Sequence, residues 1–341
     1  MENSLRLADW TTFRIGGAAD RVVVARTDDE VIATVRDADA SGTPLLVVSG
    51  GSNMLVADEG FRGTVLVIAT TGITVNCTDT VDLCVAAGEP WDDLVKRAVK
   101  EGWSGLEMLS GIPGLVGAAP VQNIGAYGAE VASVVRRIRA YDRTTGQVTI
   151  LEPADCRFGY RTSLFKQATG RYIVLSVDLR LRPSDQSAPI EYAELARHLS
   201  VEVGDTSPIS EVRQAVLELR RGKGMVLDAT DHDTWSAGSF FTNPVITPAS
   251  AATLPESAPR FPQPDGSIKT SAAWLIDHAG FPKGYGTGPA RLSSKHVLAL
   301  TNRGDATAQD ILTLARTIRE RVRTTYGITL DPEPLLVGLT L

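Results

Sequence analysis

The stretch Gly105–Gly128 reads GLEMLSGIPGLVGAAPVQNIGAYG, and its reading decides the rest. Six of its residues are glycine, two are proline, and Glu107 is its only charge. Each glycine adds backbone entropy that folding must remove, so no ordinary helix or strand is expected here. The stretch is also too apolar for a solvated linker. What remains is a buried irregular loop whose glycines let backbone approach something closely. Buried N–H groups need acceptors, and a diphosphate would supply them. A tight core crossing without any ligand fits the stretch equally well.

Working upstream, Arg21–Ala25 reads as a strand, and Thr27-Asp28-Asp29-Glu30 has the spacing of a capping box. The helix it opens carries Val31, Ile32 and Val35 on one face and stops near Gly42. Pro44–Val48 is continuously apolar, as a buried strand would be, and runs into Ser49-Gly50-Gly51-Ser52-Asn53. The result is a β-α-β unit with a candidate phosphate nest at its exit. Thr64–Ala69 and Val81–Ala86 read as further strands, and Pro90–Glu101 as a helix.

Downstream, Val134–Tyr141 and Gln147–Leu151 form a hairpin, and Tyr172–Leu181 a closing strand. The run PSDQSAP, Pro183–Pro189, is the clearest break in composition and marks a domain boundary. Helices follow over Tyr192–Leu199, Ser210–Arg221, Ser271–Ala279 and Thr307–Tyr326. Val297–Leu300 reads as a strand, and Gly327–Leu341 as a strand pair broken at Asp331-Pro332-Glu333-Pro334.

Bulk properties narrow the function classes. The chain has 341 residues, 43% hydrophobic and 22% charged, which supports a sizeable core. Its net charge of −6 leaves no basic face for a nucleic acid, so no such partner is expected. No apolar run is long enough to span a bilayer, and MENSLRLADW has no signal-peptide core. A cytoplasmic monomer is expected. Cys77, Cys84 and Cys156 lack metal-site spacing and should pack as small hydrophobes. The four histidines are scattered, and no metal site is expected.

Three short motifs carry chemistry in outline. Ser239, within GSFFTNP (Gly238–Pro244), could be a desolvated proton donor or merely a satisfied strand-start hydroxyl. Arg161, beside Tyr160, could hold a carboxylate or be solvated. Glu333, between two prolines in an apolar tail, needs a partner or a raised pKa unless it lies in water. There is no GxGxxG after a strand and no GxxxxGK[ST].

Taken together, TFRIGG (Thr12–Gly17), GGSN (Gly50–Asn53), the long glycine loop, FGYRTSLF (Phe158–Phe165), GSFFTNP and DPEP closely resemble the UDP-N-acetylenolpyruvoylglucosamine reductases, the MurB flavoenzymes of peptidoglycan precursor synthesis. They occur in that family's order over nearly the whole chain. Tyr192 sits where the type I subclass carries a substrate-closing tyrosine.

The resemblance implies an α+β, vanillyl-alcohol-oxidase-type FAD-binding fold of two subdomains, residues 1–70 and 71–182. A substrate-binding domain (183–330) and a C-terminal segment carrying Glu333 (331–341) complete it. It implies FAD held by Gly50, Gly51, Ser52, Asn53, Gly111, Ile112, Pro113, Gly114, Gly117, Ala118, Gln122, Asn123, Gly125, Ala126 and Tyr127. NADPH would reduce the flavin, which passes hydride from N5 to C3 of a UDP-sugar enolpyruvyl substrate. Ser239 would protonate C2, and Arg161 and Glu333 would bind the substrate carboxylate and stabilise the enol. Tyr192, Lys223 and Asn243 would contact the diphosphate, with Tyr160 on the substrate side. After Lys223 this chain reads GMVLDATDHDTW where the family usually has a short KLPDP segment. Two other hypotheses stand beside this one: another oxidase or dehydrogenase on the same flavin fold, and a nucleotide-binding module without catalysis.

Overall fold

The computed structural model describes residues 5–341; residues 1–4, on which part of the signal-peptide reading falls, lie outside the described residues. Strand β1 (Ala19–Ala25), helix α1 (Asp28–Ser41) and strand β2 (Leu45–Val48) form the expected crossover unit. The capping box is made: Glu30 N donates to Thr27 Oγ1 and Thr27 N donates to Glu30 Oε2, each at 3.2 Å. Gly42 ends the helix in the left-handed region, at φ +66°. Beyond β2 the chain turns through GGSN into β3 (Met54–Val56), and β4 (Phe61–Ile68) then inserts between β1 and β2. All three strands of this sheet are parallel. The central position of β4 explains why Gly63–Ile68 is buried without alternation.

The second sheet is antiparallel. Strand β5 (Ile73–Cys77) lies at one edge beside β6 (Val81–Ala86), then Tyr172–Pro183, Val135–Asp142 and Gln147–Leu151. Helix α2 (Trp91–Lys100) buries Trp91, Leu94, Val95 and Ala98 in a core that also takes Val31 and Val35 of α1. The two sheets therefore share one apolar interior. β5 escaped the sequence reading because ITVNC is a short edge strand with mostly exposed side chains.

A single helical turn, α3 (Leu164–Gln167), is capped by Ser163. Helices α4 (Ala193–Leu199) and α5 (Ile209–Gly222) then pack on Met108 and Tyr127 of the long loop. The last core gathers the helices Ala272–His278 and Ala308–Tyr326 with Phe240, Phe241 and, from the N-terminal segment, Phe13 and Ile15.

Several expectations need correction. The strand expected at Val297–Leu300 lies at Leu300–Asn302, paired with Ala290–Leu292, because Val297 and Leu298 are buried in the turn before it. The expected C-terminal strand pair is one strand, Leu335–Val337, which pairs in parallel with β3. Pro332 and Pro334 remove two ladder donors just ahead of it. Cys156 is buried as expected, but Cys77 and Cys84 are exposed. Among the described residues no helix is long and apolar enough to cross a membrane.

Asn302 ties the N-terminal segment to this last unit. Its Nδ2 donates to Phe13 O at 2.9 Å, and its Oδ1 accepts from Gly304 N and Ala306 N at 2.8 and 3.0 Å. The residue is 2% exposed. Asn302→Ala strands these buried groups and should lower unfolding stability by about 2–3 kcal/mol in urea titrations. A change below about 0.5 kcal/mol would mean that water replaces the side chain.

Candidate active site

A cleft of about 770 Å³ runs between the two sheets and the last unit. Its walls include Gly50, Gly51, Ser52 and Asn53, the long loop at Ile112, Pro113, Gly117, Ala118, Gln122 and Gly125, and the trio Ser239, Arg161 and Glu333. Residues some 280 positions apart in sequence thus face one space.

The GGSN turn has the features of an anion nest. Among the described residues, the amides of Gly50, Gly51 and Ser52 have no protein acceptor. Gly51 is left-handed at φ +57°, and a Cβ there would stand 1.7 Å from Trp10 O. A Cβ on Gly50 would lie 2.5 Å from Gly114 Cα. Ser52 Oγ donates to Pro113 O at 3.1 Å, and Asn53 Nδ2 to Gln122 Oε1 at 2.9 Å, joining the turn to the long loop. Ser49 Oγ, also on the cleft wall, is buried without a partner. A bound polar group is what such a cradle lacks.

The long loop is buried and irregular, as read, but most of its amides are satisfied within the protein. Gly117 N donates to Ala87 O at 2.8 Å, Val116 N to Glu89 O at 2.9 Å, and Gly111 N to Asp92 Oδ1 at 2.6 Å. Glu107, 1% exposed, accepts from Gly105 N at 2.6 Å and Ser104 Oγ at 3.3 Å. The loop therefore supplies close-packed wall more than donors. Gly117 needs its missing side chain, since a Cβ would come 2.5 Å from that of Ala87.

Some loop residues face elsewhere. Gly111 abuts Leu217 of α5, while Ala126 and Tyr127 pack with α4 and α5. Asn123 is 1% exposed, and its side chain bonds Glu130, Gly159 O and Ala132 N. It holds the loop together from behind.

The trio Ser239, Arg161 and Glu333 is assembled by backbone. Phe240 and Phe241 are buried, with ring centroids 5.1 Å apart, and anchor the segment bearing Ser239. Phe240 O accepts from Glu333 N at 2.9 Å, and Thr242 N donates to Asp331 O at 3.0 Å. Arg161 sits at φ +52°, a conformation L-residues visit rarely outside special sites. Its Nη2 donates to Gly125 O at 3.1 Å, and its Nε lies 3.3 Å from Glu333 Oε1. Lys166 of α3 donates to Arg161 O at 3.0 Å. Burial pushes the Glu333 carboxyl above its ordinary range, against the opposing pull of Arg161 and Lys166.

The residues expected on the substrate side, none of which lines this cleft, fall into two groups. Lys223 and Tyr192 meet at Tyr127: the Tyr127 and Tyr192 rings are 5.5 Å apart edge to face, and Lys223 Nζ is 5.8 Å from the Tyr127 ring. Asn243 and Tyr160 form the other group, with Lys269 Nζ 4.5 Å over the Tyr160 ring. Asn243 Oδ1 also accepts from Ala272 N at 2.9 Å, capping the following helix.

Arg220 was missed. It lines the cleft, its Nε is buried without a partner, and burial pushes its pKa down. Only its Nη2 is engaged, to Met225 O at 3.0 Å. Its sequence context, ELRRGK, reads as cations favouring a helix C-terminus, so nothing in the pattern singled it out. The unusual segment Gly224–Trp235 folds down as part of the wall through Met225, Leu227 and Thr234. Asp233 anchors it by accepting from Ser294 N at 3.0 Å and Arg303 Nη1 at 2.8 Å.

Known proteins share this architecture and sequence. A family model described as UDP-N-acetylenolpyruvoylglucosamine reductase, C-terminal domain, matches residues 229–337, and one described as an FAD binding domain matches residues 19–152. The Streptomyces coelicolor protein named UDP-N-acetylenolpyruvoylglucosamine reductase is 54% identical, covering 98% of this chain and 90% of its own length. The Thermobifida fusca protein of that name is 52% identical, covering 98% and 97%. The crystal structure of the Thermus caldophilus reductase, MurB, superposes with a TM-score of 0.66 at 27% identity, covering 97% of both chains. The α+β fold is an FAD-binding fold, and the cofactor is FAD.

Gly50→Ala forces a Cβ against Gly114 and should reduce the flavin that copurifies, with far-ultraviolet circular dichroism unchanged. Full flavin absorbance in that variant would remove GGSN from the cradle.

Proposed function

The chain belongs to the UDP-N-acetylenolpyruvoylglucosamine reductase family, and from that premise we propose how its own residues carry the reaction. The reaction is the NADPH-dependent reduction of UDP-N-acetylglucosamine enolpyruvate to UDP-N-acetylmuramate, in peptidoglycan precursor synthesis. Bound FAD would supply a two-electron carrier for hydride between NADPH and C3 of the enolpyruvyl group. The convergence of Ser239, Arg161 and Glu333 on the cleft that holds the GGSN cradle carries this reading.

Hydride addition at C3 leaves negative charge spread over C2 and the attached carboxylate. Arg161 binds that carboxylate by charge-assisted hydrogen bonds and offsets the growing charge. Burial raises the Glu333 pKa, which favours its protonated form, and in that form it donates a hydrogen bond to the same enolate-like oxygens. Ser239 delivers its hydroxyl proton to C2. An aliphatic alcohol is a weak acid, so the transfer depends on that charge developing beside it in a dry site. The buried Phe240 and Phe241 exclude water on the Ser239 side. Arg220 adds a further cation facing the same cleft, which Arg143 and Lys166 also line.

Ser49, Gly50, Gly51 and Ser52 hold the FAD diphosphate through backbone amides and hydroxyls. The substrate diphosphate lies toward Lys223 and Tyr192, with Asn243 and Tyr160 completing the substrate side. Residues 183–330 form the substrate-covering domain over the flavin subdomains 1–70 and 71–182. NADPH and substrate use the same cleft in turn, since no separate dinucleotide motif is present. One chain supplies the whole trio, so a monomer suffices, and the nucleotide-sugar substrate places the enzyme in the cytoplasm.

The decisive assay follows NADPH oxidation by the purified, flavin-containing protein with and without UDP-N-acetylglucosamine enolpyruvate. Oxidation should require that substrate. Consumption with O₂ alone, at the same rate, would instead indicate an oxidase on the same fold.

Two predictions separate the roles. Ser239→Ala should leave flavin reduction by NADPH nearly unchanged and slow flavin reoxidation by substrate about 10²–10⁴-fold, in stopped-flow absorbance. Equal loss in both half-reactions would make Ser239 structural. Because the neutral form of Glu333 is the donor, the reoxidation rate should fall as pH rises through an ionisation above the ordinary carboxyl range. Glu333→Gln should remove that inflection from the rate–pH profile; its persistence would assign it to another group.

A further inference from the structure

Lys223 already has an anionic partner within the chain. Its Nζ lies 2.5 Å from Glu194 Oε2, and both side chains are about one-third exposed, at 33% and 37%. Glu194 stands on α4, two residues after Tyr192, which is the residue preceding that helix. The pair lies within a locally basic corner. Lys223 and Lys283 together help hold the His296 imidazole down to about 4, after the larger effect of burial, while Glu194 pulls the other way. Tyr127 shares the corner, its hydroxyl pushed up to about 12 first by burial and further by Glu194 and Tyr192. Glu194 is thus the carboxylate that these three elements have in common.

We propose that Glu194 is an internal stand-in for the substrate diphosphate: it occupies Lys223 and must surrender that cation when the nucleotide binds. The proposal rests on Lys223 being a diphosphate ligand. One ammonium cannot keep a short contact to a carboxylate and to a pyrophosphate without bringing the two anions together. Like charges at such separation repel, so Glu194 subtracts from nucleotide affinity. The exchange also removes one polar tie between α4 and the end of α5, leaving the apolar packing and the His198–Glu218 contact at 3.0 Å. Glu194 therefore sets affinity and the timing of release, without touching the reacting atoms.

The test is calorimetric titration of UDP into the FAD-loaded enzyme. Glu194→Gln keeps shape and hydrogen-bonding capacity while removing the competing charge, and should tighten UDP binding about threefold to fivefold, the range of a partly exposed ion pair. Glu191→Gln makes the same change in net charge beside the site and should leave the affinity unchanged. Lys223→Met should weaken binding. If Lys223→Met weakens binding but Glu194→Gln leaves it unchanged or weaker, Glu194 orients Lys223 and the stand-in role is overturned. Equal tightening by Glu191→Gln would overturn it in favour of a general field effect. If Lys223→Met binds UDP as the wild type does, the diphosphate assignment of Lys223 itself fails.

Discussion

A backbone hydrogen bond from Glu333 N to Phe240 O, 2.9 Å long, joins the two segments that bear Glu333 and Ser239. Neither segment is regular structure, so neither could hold its place alone. Pro332 and Pro334 stiffen one side, and the buried rings of Phe240 and Phe241 fix the other. The strand Leu335–Val337 then anchors the tail in parallel with β3, directly after GGSN. Leu335 N donates to Asn53 O at 3.0 Å, which carries the same chain of bonds into the cofactor cradle. Cradle, Glu333 and Ser239 are therefore one connected backbone unit drawn from three distant parts of the sequence. A shift of the tail moves all three together, which keeps Ser239, Glu333 and the GGSN turn in register.

Much of this was legible in residue patterns. The β-α-β unit announced itself through the capping box at Thr27 and Glu30 and the apolar run ending at GGSN, because those signals are local. The long glycine loop was legible as buried and irregular for the same reason. Its role was less so. A run of glycines states that backbone comes close to something, without saying whether that is a ligand or other backbone. At Gly50 it is Gly114, at Gly117 it is Ala87, and at Gly111 it is Leu217. Gly50 and Gly117 lie on the cleft wall and Gly111 behind it, a distinction that only the fold makes.

The residues that sequence reading missed have a common character. Arg220 reads as a helix-end cation and Lys269 as a surface lysine. Each becomes notable through burial or through a ring beside it, which are tertiary properties. Asn123 is the converse case. Within QNIG it suggested a ligand donor, yet its amide is consumed by Glu130, Gly159 and Ala132. Side-chain type gives bonding capacity, while packing decides whether any remains for a ligand.

The electrostatics of the cleft follow from what it must hold. The chain carries a net charge of −6 but receives anions at the cofactor cradle, the substrate carboxylate and the substrate diphosphate. Cations must be concentrated locally, and a buried cation without a counter-charge is costly. The protein meets this by setting one of its own carboxylates beside several of them: Glu333 beside Arg161, and Glu194 beside Lys223. The two pairs differ in burial, and that difference fixes what each can do. Glu333 is 12% exposed, so desolvation raises its pKa and lets it yield its charge by keeping a proton. Glu194 is three times as exposed, and with solvent at hand it can yield Lys223 by moving away. In the roles proposed for them, the same device would serve as a proton-holding partner at the reacting carbon and as a displaceable one at the diphosphate, with solvent access deciding between them.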